Sequence, residues 1–118
     1  MSTSPAAVVV EPWTQTEAVA LCIQLESIAP VFGAHVGLTG GTLYKEGERK
    51  DCDILIYRIR QKKIDFPGLF GAFAAVGIEV QNDFGFCIKA RYGSRRIDFL
   101  YPEATEGGDY QGPNTNIP

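Results

Sequence analysis

Asp51-Cys52-Asp53-Ile54-Leu55-Ile56-Tyr57-Arg58-Ile59 is the stretch on which the fold turns. Ile54 to Ile59 is rich in Ile and Tyr and reads as a β-strand, with Asp51-Cys52-Asp53 at its mouth. Successive strand residues point to opposite faces, so Asp51 and Asp53 point to the same one. Upstream, Ala34 to Thr39 is a second short apolar strand that runs straight into Gly40-Gly41.

Helices are expected on either side. Thr14 to Ala29 repeats Ala18, Leu21, Cys22, Leu25, Ile28 and Ala29 at helical spacing, with Thr14 and Glu17 as a capping box and Pro30 as the stop. Phe66 to Val76 forms a second helix with Pro67 in its first turn and Gly77 after its end. Ile78 to Gln81 and Phe84 to Tyr92 then pair around an Asn82-Asp83 turn. Arg95 to Tyr101 supplies a last strand after Gly93-Ser94. The pattern predicts a small α+β domain, a mixed sheet with helices packed on one face. Residues 1–13 read as an N-terminal extension, 14–101 as the domain, and 102–118 as an irregular or disordered tail.

With 118 residues the chain suits one domain. No apolar run approaches the roughly 20 residues of a membrane span, and Ala6 to Val10 is too short for a signal-peptide core, so a cytoplasmic location is expected. The formal charge of -3 conceals an uneven distribution: all 11 Lys and Arg residues lie between Lys45 and Arg96. Cys22, Cys52 and Cys87 have no CxxC spacing, which argues against a disulfide framework or a zinc site and for buried thiols. The one histidine, His35, lies in an apolar run and reads as structural. Chemistry is therefore to be sought among the carboxylates.

Three features carry it together. Gly40-Gly41-Thr42 at a strand end lets the backbone approach a bulky anion, with turn N–H groups and the Thr42 hydroxyl as donors. Asp51 and Asp53 repel one another, which a divalent cation would relieve; hard oxygen ligands suit magnesium or manganese. Asp98, between Ile97 and Phe99, is a third carboxylate on a later strand. Asp83-Phe84-Gly85 spells a kinase motif without its companions and reads as a hairpin turn. Trp13, Tyr44 and Tyr57 are better explained by packing than by base stacking.

This ordered set resembles the DNA polymerase beta-like nucleotidyltransferase superfamily, in particular its minimal, single-domain branch. Leu38 to Thr42, Asp51 to Ile54 and Ile97 to Phe99 match its motifs in type and order, over about residues 14 to 101. The resemblance implies a metal-dependent enzyme that moves a nucleoside monophosphate from an NTP to an acceptor hydroxyl and releases pyrophosphate. Asp51, Asp53 and Asp98 would be its catalytic and metal-binding residues, with Mg2+ or Mn2+ as cofactor. Gly40, Gly41 and Thr42 would cradle the β- and γ-phosphates. Lys45, Arg49 and Lys50, and Arg95 and Arg96 just before Asp98, would supply positive charge. The acceptor stays open: a protein partner or protein acceptor is one option, nucleic acid is disfavoured by the acidic flanks, and no membrane is involved. The competing expectation is an inactive nucleotide-binding or protein-interaction module, antitoxin-like, on the same fold.

Overall fold

The computed structural model describes residues 11–40, 49–60 and 62–103. Helix α1 (Gln15–Glu26) opens on the expected capping box: the Glu17 N–H donates to Thr14 Oγ1 at 3.2 Å, and the Thr14 N–H donates to Glu17 Oε1 at 3.1 Å. The helix ends before Pro30, and a 3-10 turn (Ala29–Phe32) takes up Pro30, with Gly33 left-handed at φ 86° behind it. Strand β1 (Ala34–Thr39) has the expected bounds. Strand β2 (Asp51–Arg58) starts three residues earlier than Ile54, so the two carboxylates lie inside the strand, not at its mouth. Helix α2 (Phe66–Ala75) is capped by Asp65, whose side chain accepts from the Gly68 N–H at 3.1 Å. Strands β3 (Ile78–Asp83), β4 (Cys87–Tyr92) and β5 (Arg95–Leu100) complete the domain.

The five strands form one mixed sheet in the order β1-β2-β5-β4-β3. Only the β2–β5 pair is parallel; the other three are antiparallel. The last of the described strands is thus the central one. Asn82 and Asp83 prolong β3 instead of forming the turn, which falls at Phe84 to Phe86. There Gly85 adopts φ 83° and its N–H donates to Asp83 Oδ1 at 2.8 Å. The kinase-like triplet runs from the end of β3 into a hairpin turn, as expected.

Alternate residues of every strand face α1 and α2. Cys52, Ile54, Ile56, Ile88, Ala90, Ile97 and Phe99 are buried there against Leu21, Leu25, Phe70 and Phe73. Phe99 stands edge-on to Phe70 at 5.3 Å between ring centroids and stacks on Phe73 at 5.6 Å. Burying such a side chain contributes about 1.5–3 kcal/mol by area alone. Trp13 is also in the core, 1% exposed, and its indole N–H donates to the Arg96 carbonyl at 2.7 Å. The packed body therefore takes in residues ahead of Thr14. No described element covers the opposite face, which holds the candidate chemistry.

Candidate active site

Strand register assembles the site. On the open face Thr39, Asp53, Asp98, Lys89 and Asn82 are successive partners across all five strands. Neighbouring strands run about 4.8 Å apart, so Asp53 and Asp98 stand side by side although they are remote in sequence. One step along, Asp51, Arg96, Arg91 and Glu79 form a second row. Period-two alternation turns all of these side chains away from the helices.

Gly40 closes the row at β1. Its φ is 72°, and a Cβ built there would lie 2.1 Å from Asp53 Oδ2. Any side chain would strain the backbone and displace the carboxylate, so a glycine is required on both counts. The rest of the expected phosphate loop (Gly41, Thr42 and Lys45) lies outside the described residues.

The electrostatics are those of crowded acids met by neighbouring bases. Asp53 is held above the usual carboxylate range, first by burial and then by repulsion from Asp98 and Asp51, with Lys89 opposing. Lys89 Nζ lies 3.1 Å from Asp98 Oδ1, and this contact raises the lysine above its ordinary value. Arg96 Nε lies 3.0 Å from Asp51 Oδ1. With Asp98 held by Lys89 and Asp51 by Arg96, no group of three His, Cys, Asp or Glu side chains among the described residues is gathered closely enough to hold a metal ion. The donor set nonetheless fits magnesium or manganese in kind. It consists of oxygen donors on one face, one of them destabilised as an anion by its neighbours.

Two other expected cations flank β2. Arg49 pairs with Trp13 through both backbone groups, at 2.6 and 2.9 Å, and its buried Nε has no hydrogen-bond partner among the described residues. Lys50 is exposed in the bend before Asp51. Arg95 does not join the site, because alternation puts it on the other face from Arg96. It packs 5.3 Å over the Trp13 ring and donates to Glu17 Oε2 at 2.8 Å.

Cys22 and Cys52 are buried thiols, whereas Cys87 departs from expectation by being half-buried on the open face. Burial and the nearby Asp98 push its thiol up. His35 is held by Glu26 at 2.5 Å, which also accepts from the Val36 N–H, a structural role as expected. The sequence assigns Lys89 and Gln81 no site role and Asn82 only a turn, although the alternation of Ile88, Lys89 and Ala90 already places Lys89 opposite the core.

No protein-family model matches the chain, and neither does any curated protein sequence. Solved structures do match it. A cytoplasmic RNA terminal U-transferase superposes with a TM-score of 0.60 at 14% identity, over 74% of this chain and 28% of that one. The polymerase beta of Leishmania infantum in a ternary complex gives 0.57 at 15% identity, over 77% and 43%. The GLD-2/RNP-8 complex gives 0.52 at 13% identity, over 77% and 41%. The chain has a nucleotidyltransferase fold. It spans less than half the length of each of these proteins. The α+β architecture inferred from the β2 stretch is therefore that of the nucleotidyltransferase core.

Proposed function

We propose that this nucleotidyltransferase-like domain transfers a nucleoside monophosphate from an NTP to an acceptor hydroxyl. The observation that carries the reading is the row in which Asp53 and Asp98 are direct partners, Asp51 lies two residues away on the same face, and Gly40 closes against Asp53. Asp51, Asp53 and Asp98 would hold Mg2+ or Mn2+, and bound divalent ions supply charge stabilisation to the attacking and leaving oxygens. Gly40, Gly41 and Thr42 would receive the β- and γ-phosphates. Lys45, Arg49 and Lys50 would offset the negative charge that builds up in the transition state. Asp98 takes the proton of the acceptor hydroxyl as its oxygen bonds to the α-phosphorus. The bond to the β-phosphate breaks, and pyrophosphate leaves.

The second reading is a nucleotide-binding or protein-interaction module without turnover, favoured by the Lys89–Asp98 and Arg96–Asp51 contacts that occupy two of the three acids. One experiment separates the two. The protein is incubated with each α-labelled NTP and Mg2+ or Mn2+, with lysate as acceptor source. Label on a product, lost in Asp53→Ala, supports transfer. NTP binding with no transfer under either metal supports the module.

A further inference from the structure

We propose that the groove beside Asp98 is a second anion site, which takes a phosphate group of the acceptor and is opened by metal loading of the carboxylates; this rests on the transferase reading. The groove, about 350 Å³, lies over the open face of β3, β4 and β5 and is walled by Gln81, Asn82, Lys89, Arg91, Arg96 and the acids Asp51 and Asp98.

One pair of its cations is placed against ordinary sheet physics. Arg91 and Arg96 are direct cross-strand partners, and like charges in that position destabilise a sheet. Each is met on its far side by an acid: Arg96 by Asp51 at 3.0 Å, Arg91 by Glu79 only at 3.9 Å. A phosphate received by both arginines would relieve that repulsion, and arginine forks suit phosphate geometry. The β3 bulge between Val80 and Asn82 adds Gln81 as an extra residue, so two amides line the same wall as donors.

The coupling follows from the ion pairs. When Asp51 and Asp98 turn to divalent cations, Arg96 and Lys89 lose their partners, and three cations then face the groove. Metal and anion must therefore raise each other's affinity by the same factor. The groove adjoins Asp98, the acid given to the acceptor hydroxyl, so the phosphate it takes belongs to the acceptor and not to the NTP.

The test is fluorescence anisotropy of a 5′-fluorescein-labelled six-nucleotide RNA. It is run at constant ionic strength with the donor site filled by a non-hydrolysable NTP, with and without Mn2+. Mn2+ is expected to tighten the RNA about tenfold in the natural protein and about twofold or less in Arg91→Gln, a substitution on the exposed face, and in Asn82→Ala. Displacement by unlabelled RNA alone assigns the phosphate to a polynucleotide end. Displacement by a nucleoside 5′-monophosphate as well assigns it to a small phosphorylated acceptor. Equal displacement by the unphosphorylated nucleoside overturns the proposal, as does unchanged coupling in Arg91→Gln. NTP·Mn2+ binding without any RNA or monophosphate binding overturns the groove alone. Absence of NTP·Mn2+ binding overturns the transferase reading, and the groove with it.

Discussion

The two faces of the sheet are built from the same strands and differ in almost every respect. On the helix side the alternating residues are apolar, most of them fully buried and joined in one cluster. On the other side the same strands carry Asp51, Asp53, Asp98, Lys89, Arg91 and Arg96, and their arrangement is electrostatically tense. A one-residue slip in any strand would exchange the two sets. The apolar face therefore fixes the register, and the register positions the acids. The stability of one face is what holds the strain of the other.

The hardest break in this division is on the buried side. Phe99→Ala removes a ring packed against Phe70 and Phe73 and should cost about 3–5 kcal/mol in urea unfolding. It should also scatter Asp98 from Asp53, since Asp98 lies on β5 and meets Asp53 only through the β2–β5 pairing. Gly40→Ala strikes where β1 meets the open face. With a left-handed backbone and a contact onto Asp53, it should cost about 1–3 kcal/mol and abolish label transfer, checked by denaturation and by the α-labelled NTP assay. Thr14→Ala removes the α1 cap on the helix side and should cost about 1 kcal/mol while transfer persists.

Asp53→Asn should go the other way. Its carboxyl titrates above the unfolded value, so its ionisation opposes folding. The stability it contributes when protonated is present below the unfolded value and is lost as pH rises through the folded one. Without metal at neutral pH, the variant should melt higher by about 3 °C, the gain should vanish on acidification, and transfer should be absent. A lower melting point would show that Asp53 is a stabilising member of the row.

Much of this division was legible in the sequence, for identifiable reasons. Thr14 with Glu17 and the Ala34 to Thr39 run are local signals, and the structure follows them closely. Asp51 and Asp53 were legible as a pair sharing a face, but their place inside β2 was not. Two acids resemble a strand entry until β5 is known to pair alongside them and complete the ladder. Arg95 and Arg96 look alike in a charge count; only strand phase sends one to Trp13 and the other to Asp51. The turn slipped from Asn82-Asp83 to Phe84–Phe86 because a bulge at Gln81 lengthens β3, and a bulge has no sequence mark here. Gly40 was legible as a glycine at a strand end; its close approach to Asp53 was not, because nothing local says which side chain will lie beneath it.

The central place of β5 bears on how the site comes into being. Residues 95–100 are the last of the described strands, yet they insert between β2 and β4 and hold the sheet together. Until they do, Asp51 and Asp53 stand on an unfilled strand edge, with neither Asp98 nor Arg96 beside them. During synthesis the acids of β2 thus leave the ribosome well before their partners. A chain cut short in β4 would keep Asp51 and Asp53 but lack Arg96 and Asp98, and with them the ladder that brings the three acids together.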